Sequence, residues 1–84
     1  MDEALSTVRH TLVLRRLEPE RNVGRFYALM IERDLFGRTV LVRRWGRVGS
    51  RGREQVEVHS SEAEAGRAMD RIVTAKIRRG YHRL

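Results

Sequence analysis

Alternation of apolar and polar residues begins at Val8 and predicts the first β-strand. Val8, Leu12 and Leu14 occupy one parity, and polar or charged residues fill much of the other. This period of two is typical of a strand with one buried face. We expect the strand to end before Pro19, because proline lacks an amide donor and favours turns. Residues 1–6 are largely polar, and we expect a frayed lead-in there.

Two more strands are predicted on either side of a tight turn. From Arg25 to Arg33 both parities are apolar, which favours a central strand covered on both faces. The segment from Asp34 to Gly37 is typical of a hairpin loop, in which Gly37 can take a positive φ. A third strand is expected from Arg38 to about Arg44, where β-branched and leucine residues are frequent.

A glycine-rich connection separates the third strand from the fourth. Three glycines fall within seven residues after Trp45, which predicts a loop or a sharp bend. Alternation returns from Gln55 to His59, and we expect Val56 and Val58 to point inward there. This segment is the predicted fourth strand.

The remaining residues carry the signals of one helix. Ser61 and Glu64 have the spacing of a capping box, which satisfies free amides at a helix start. An apolar stripe at helical spacing follows, made of Ala65, Ala68, Met69, Ile72 and Val73. Gly80 stands where a left-handed C-terminal cap is expected.

These elements predict an α+β fold in one small domain. An antiparallel sheet of about four strands would carry the C-terminal helix across one face. At 84 residues, a single domain over 1–84 with a core at about 8–81 is the expected organisation. Such a chain buries one modest core, with little room for a deep active-site cavity.

Charge is the first indication of function. The chain has a formal net charge of +7 and a pI near 11.4, values typical of nucleic-acid binders. It contains no cysteine, so a disulfide framework and a thiolate metal site are excluded. No apolar run is long enough for a membrane helix, and no signal-peptide core follows the acidic N-terminus. We therefore expect an intracellular, cytoplasmic protein that does not bind membranes, with the nucleoid as one place of association.

The basic charge is concentrated around Trp45. The segment from Arg38 through Arg53 contains six arginines, counting both ends, and no acidic residue. Arginines neutralise phosphates and release counterions, and a tryptophan offers a flat face for stacking. If the third strand continues through Arg47, then Arg43, Trp45 and Arg47 share one face. The alternative is that Trp45 anchors the core and the arginines form an ordinary solvated hairpin.

The chain resembles the WGR domain family, which occurs in poly(ADP-ribose) polymerases and as free-standing bacterial proteins. The resemblance rests on Trp45-Gly46-Arg47-Val48-Gly49 after a strand, on Asn22 followed by Arg25-Phe26-Tyr27, and on Lys76 with Gly80-Tyr81 after a serine-capped helix. These elements occur in order over nearly the whole chain. The resemblance implies a twisted antiparallel sheet with one helix, and DNA binding at breaks.

The resemblance also implies roles for individual residues. Trp45 would pack on a terminal sugar or base, and Arg47 would contact the backbone. Asn22 and Tyr81 would receive a terminal 5′ phosphate, with Lys76 adding positive charge. The remaining expected nucleic-acid-binding residues are Gly46 and Gly49, which would permit close approach, together with Arg25, Arg43 and Arg51. Arg25 replaces the lysine of the family pattern, which keeps the charge and alters the geometry.

Structural roles compete with these functional ones. Lys76 follows Ile72 by four residues, so its position is also compatible with a stem that covers the edge of the apolar stripe instead of reaching a phosphate. Tyr81 is equally compatible with packing over the helix end, and Asn22 with shaping its turn.

We expect no enzyme, no cofactor and no metal site. The three histidines lack metal-ligand spacing, and Glu54 and Glu57 should face opposite sides of a strand, which makes them a poor acid–base pair. The expected function is a non-catalytic nucleic-acid-binding module, with DNA ends, nicks or 5′-phosphorylated breaks as the ligand. The alternative is a protein–protein adaptor that docks an acidic partner on the Trp-Gly-Arg surface.

Overall fold

Five antiparallel strands and one helix form the part of the chain that the computed structural model describes, namely residues 8–18, 20 and 23–84. The elements in chain order are β1 (Val8–Glu18), β2 (Val23–Arg33), β3 (Thr39–Arg47), β4 (Arg53–His59), α1 (Glu62–Arg78) and β5 (His82–Arg83). The order in the sheet is β4-β3-β2-β1-β5. The predicted α+β architecture is confirmed, with one strand more than the four expected. The lead-in at residues 1–6 and Pro19 lie outside the described residues.

One face of the sheet is covered by α1. Strand pairing sets Leu14, Tyr27 and Trp45 side by side on β1, β2 and β3. Leu14 and Tyr27 are buried with Ala65, Met69, Val73 and other core residues of the helix and sheet. We call this side the helix face and the opposite side the reverse face. Because side chains alternate along each strand, the neighbours of these residues project to the reverse face.

The hairpin between β2 and β3 is built by one aspartate. The Asp34 carboxylate accepts hydrogen bonds from the amides of Phe36 (3.0 Å) and Arg38 (2.8 Å). Gly37 has a φ of +81°, as expected for the turn glycine. The predicted loop is confirmed.

The ends of α1 follow the predicted capping. The Ser61 hydroxyl accepts a hydrogen bond from the Glu64 amide at 3.0 Å, whereas the Glu64 carboxylate accepts from the Ser60 amide at 2.7 Å. In a standard capping box the Glu64 carboxylate would accept from the amide of the N-cap residue Ser61, whereas here it accepts from the amide of the preceding residue, Ser60. At the other end Gly80 has a φ of +98°, and the Tyr81 amide donates to the Lys76 carbonyl at 3.1 Å. This pattern is a Schellman ending, which turns the chain back toward β1.

The orientation of β4 differs from the prediction. Val56 pairs with Val42 and Val58 with Val40, so both valines lie on the reverse face. Their exposed fractions are 55% and 56%. The expectation that they point inward was wrong, because alternation shows that two residues share a face but not which face the helix covers. Glu57 lies on the helix face and Glu54 on the reverse face, as predicted.

Candidate nucleic-acid interface

Trp45 lies within β3, opposite Tyr27 of β2. The two rings are stacked, with centroids 5.7 Å apart and an interplanar angle of 16°. Trp45 is half-buried and packs against the core on the helix face. The indole is therefore held by the core and still reaches solvent. The two sequence-based interpretations of Trp45 were a flat face for stacking and an anchor for the core, and each describes part of its surroundings.

β3 continues through Arg47, so the condition for a shared face is met. Arg43, Trp45 and Arg47 project to the same side of the strand. Arg47 pairs with Arg25, which in turn pairs with Arg16 of β1, so three arginines cross the sheet in one row. Arg25 and Arg47 are exposed, and their side chains form no ion pair with another described residue. This row extends the helix face beyond the Tyr27–Trp45 pair.

Lys76 extends from the last turn of α1 toward the sheet, beside this row. Its Nζ lies 4.4 Å from the centre of the Tyr27 ring and 5.6 Å from that of Tyr81. Partial burial, together with the positive charges of Arg79, Arg43 and Arg16, holds the pKa of Lys76 below its ordinary value. No carboxylate of the described residues forms an ion pair with this ammonium. The site therefore concentrates positive charge beside two aromatic rings.

Tyr81 joins the helix end to the sheet. It is 8% exposed, and its ring meets that of Tyr27 edge-on, with centroids 6.4 Å apart. Packing over the helix end is thus the role that its contacts support, and its position next to Lys76 keeps it within the basic site.

Arg16 is a member of this site that the sequence analysis missed. Its Nη1 donates to the Arg79 carbonyl at 3.3 Å, and its guanidinium carbon lies 5.5 Å from the centre of the Tyr81 ring. A cation is favourable there, because the carbonyls at the end of a helix carry partial negative charge. Its shared parity with Leu12 and Leu14 was the signal that could have placed it on the helix face. Tyr27 was also missed, since its place in the Arg25-Phe26-Tyr27 element carried no role at the site.

Arg43 differs from the other cations because it has an acidic partner. Its Nη1 lies 3.1 Å from a Glu57 carboxylate oxygen, while the other Glu57 oxygen lies 3.4 Å from His59. Both members of the Arg43–Glu57 pair are partly buried. Arg43 therefore contributes less uncompensated charge than Arg25 or Arg47.

The glycines of the β3–β4 connection serve the fold of the loop itself. A Cβ on Gly46 would lie 2.7 Å from the Gly52 Cα, so the close approach at Gly46 is to its own chain. Gly49 has a φ of +95° and open space around it, which leaves its backbone accessible. Arg51 is exposed in the same loop. Asn22, the remaining predicted contact, lies outside the described residues.

We call the tryptophan surface the set of residues that the structure brings together on the helix face: Arg16, Arg25, Tyr27, Trp45, Arg47 and Lys76. It combines flat rings with a cluster of cations, of which Arg25, Arg47 and Lys76 form no ion pair with a described carboxylate. Such an arrangement suits the sugar-phosphate backbone and bases of a nucleic acid. Within the described ranges, no group of three or more His, Cys, Asp or Glu residues could hold a metal ion. No helix in that part of the chain is long and apolar enough to cross a membrane.

Two comparisons relate this chain to known proteins. A family model described as WGR domain matches residues 10–84. The uncharacterized protein y4dW of Sinorhizobium fredii (strain NBRC 101917 / NGR234) is 40% identical over 72 residues, which make up 86% of this chain and 35% of that protein. The chain thus spans about a third of the length of this relative.

Proposed function

The chain belongs to the WGR domain family, and from this premise we propose that it is a non-catalytic module that binds DNA through the tryptophan surface. The observation that carries the proposal is the position of Lys76, whose ammonium lies against Tyr27 and Tyr81 among several arginines and forms no ion pair with a described carboxylate. Clustered cations attract phosphates strongly.

DNA ends are the proposed ligand within this class. At an end, the last base pair exposes a flat face, on which the solvent-accessible part of Trp45 would pack. Arg47 and Arg25 would neutralise backbone phosphates, because both guanidinium groups are exposed and close to Trp45 in the sheet register. The terminal 5′ phosphate would enter the space beside Lys76 and Tyr81.

The test is a direct titration of the purified chain with fluorescent DNA, followed by anisotropy. Three ligands are compared: a short blunt duplex with a 5′ phosphate, the same duplex without it, and a closed circle used as competitor. We expect the phosphorylated duplex to bind most tightly and the circle to compete poorly. Equal competition by the circle would contradict the preference for ends.

Two variants locate the binding surface. Trp45→Ala should weaken binding by roughly 5- to 150-fold, the equivalent of the 1–3 kcal/mol that one stacking contact contributes. Because Trp45 also packs on the core, Arg47→Gln provides an independent test on an exposed side chain. Arg67→Gln is the matched control, since Arg67 is exposed on α1 and outside the tryptophan surface. Equal losses in the Arg47 and Arg67 variants would show binding by net charge alone.

The same surface would also suit an acidic protein, the adaptor role considered above. Salt weakens both kinds of complex, so salt dependence alone does not separate them. The duplex titration does: tight binding of purified DNA supports the proposal, and no binding at physiological salt favours an acidic protein partner.

A further inference from the structure

The reverse face carries a surface cavity at the same end of the sheet as the tryptophan surface. Its volume is about 430 Å³, within the range typical of small-molecule sites. The floor is apolar and includes Val13, Phe26 and Ala28, and the β3–β4 loop forms one wall. Leu84 lies at its margin. We call this feature the reverse-face cavity.

Three arginines surround this cavity: Arg15, Arg44 and Arg51. All three are exposed, and none forms an ion pair with another described residue. Arg15 and Arg44 reach this side because they directly neighbour Arg16 and Trp45 on β1 and β3, and successive side chains of a strand project to opposite faces. The same strand ends therefore carry arginines on both faces, with Glu54 of β4 opposite Arg44 on the reverse face.

The loop that walls the cavity is fixed in place by backbone contacts. The Val48 amide donates to the Gly24 carbonyl at 2.9 Å, and the Ser50 hydroxyl donates to the Arg47 carbonyl at 2.8 Å. Gly52 lies so close to the Phe26 ring that a Cβ there would be 2.9 Å from it. The cavity is thus built into the fold, and Arg51 is attached to a constrained segment.

An apolar floor with one aromatic ring, bordered by three cations, suits a ligand that has a flat body and negative charge. A nucleotide has both properties: its base would lie on the floor against Phe26, and its phosphate would meet the guanidinium groups. A duplex is too wide to enter such a cavity, whereas an unpaired strand can. The chemistry of the cavity therefore favours a single-stranded segment.

We propose that a single-stranded extension of the bound DNA passes around the end of the sheet and places a nucleotide in the reverse-face cavity. This inference rests on the proposed function, because the duplex part of the same DNA occupies the tryptophan surface. The domain would then hold a DNA end from both faces of one sheet and distinguish extended ends from blunt ones.

The test compares a blunt duplex with the same duplex carrying an extension of about four nucleotides, the lower limit of site sizes in small single-strand-binding folds. Extensions of both polarities are measured by anisotropy. We expect one of them to raise affinity about fivefold or more, the least that one stacked base contributes. The double variant Arg15→Gln/Arg44→Gln should lose this gain and keep the affinity for the blunt duplex, because both side chains border the cavity and lie outside the tryptophan surface.

Arg67→Gln/Arg71→Gln on α1 is the control, because it removes the same charge from exposed positions outside the cavity. We expect it to retain the gain. A second readout is the NMR signal of the Leu84 methyl groups, which should shift with the extended duplex and not with the blunt one.

The outcomes separate this inference from the proposed function. If wild type binds blunt and extended duplexes equally, the cavity is not a nucleotide site and the proposed function stands. If the Arg15/Arg44 variant loses affinity for both duplexes alike, the arginines act by general attraction and the inference is overturned. If wild type binds neither duplex, the proposed function fails and this inference fails with it.

Discussion

At the scale of single residues, Lys76 has the most unusual surroundings. It is the one lysine of the chain, beside 17 arginines, and its ammonium lies against two tyrosine rings. Burial and three neighbouring guanidinium groups disfavour its charged form and lower its pKa. A phosphate placed here would relieve that repulsion, so the cost of holding these charges together in the free protein becomes a gain on binding.

We predict that the affinity for a phosphorylated duplex falls as pH rises from the pKa of Lys76 in the free protein toward the higher pKa of Lys76 in the complex with DNA. A bound phosphate favours the ammonium and raises the pKa of Lys76, so binding above the free-state pKa must take up a proton. Below the free-state pKa the lysine is charged in both states, and affinity should not change. Anisotropy at a series of pH values from neutral into the alkaline range measures this dependence.

Lys76→Arg is the control for this prediction, because an arginine stays charged throughout the range. Its affinity should be independent of pH. If this variant shows the same pH dependence as wild type, another group is responsible and Lys76 is not at the phosphate.

Sequence could place some of these residues and not others. Trp45, Arg47 and Lys76 stand in recognisable motifs, and the structure brings them into one surface. Arg16 stands in no motif, and Tyr27 stands in the Arg25-Phe26-Tyr27 element without an assigned role. The places of both depend on strand register across β1, β2 and β3. Likewise, no local pattern showed that Arg43 meets Glu57, which lies 14 positions away on β4.

At the scale of elements, the β3–β4 loop is the segment that both surfaces share. It closes over the reverse face through Val48 and brings Gly52 against the Trp45 carbonyl and the Phe26 ring. A glycine is needed at Gly52 for two reasons: its φ is +76°, and a side chain would meet backbone as well as Phe26. The loop therefore couples the position of Trp45 to the shape of the reverse-face cavity.

We predict that Gly52→Ala destabilises the domain by about 2–5 kcal/mol, which combines the cost of a left-handed backbone with that of overpacking. Gly49→Ala has a similarly positive φ but meets nothing within 4 Å, so it should cost only about 1–2 kcal/mol. Urea denaturation of the two variants measures the difference. Equal losses would mean that the packing of Gly52 against Trp45 and Phe26 contributes nothing.

Strands and helix were predictable where the pattern is long. The alternation in β1 and the stripe of α1 reflect burial over many residues, and these elements are confirmed. β2 is confirmed as a central strand, but the expected cover on both faces is not found: α1 packs on one face, and Phe26, Ala28 and Met30 on the reverse face are only half-buried. β5 has two residues, too few to form a pattern, and it exists because the Schellman turn at Gly80 directs the chain along β1. The direction of Val56 and Val58 depends on which side α1 covers, a property of the whole fold.

At the scale of the molecule, charge and shape act together. A net charge of +7 is carried by a body with extents of 48 × 24 × 19 Å, and one end of the sheet is basic on both faces. Long-range attraction would therefore guide DNA toward that end before any specific contact forms.

We predict a linear dependence of log affinity on log salt, with a slope of roughly −4 to −5 if four to six phosphates are neutralised. Removing one contact through Arg47→Gln should reduce the magnitude of the slope by about one. Arg67→Gln should leave it unchanged. Titrations of the blunt duplex at several salt concentrations give the slopes, and an unaltered slope for Arg47→Gln would remove this residue from the phosphate contacts.

The alternation of side chains along each strand limits where residues can be inserted into or deleted from this domain. Arg15 with Arg16, and Arg44 with Trp45, are adjacent in the chain and face opposite sides. Inserting or deleting one residue in β3 upstream of Arg44 would reverse the faces of this pair, so that Trp45 would point to the reverse-face cavity and Arg44 to the helix face. The same change in β1 upstream of Arg15 would exchange the faces of Arg15 and Arg16. We therefore expect single insertions to be tolerated better at the exposed 35–37 turn than within β1 or β3, where they would exchange residues between the two proposed binding faces.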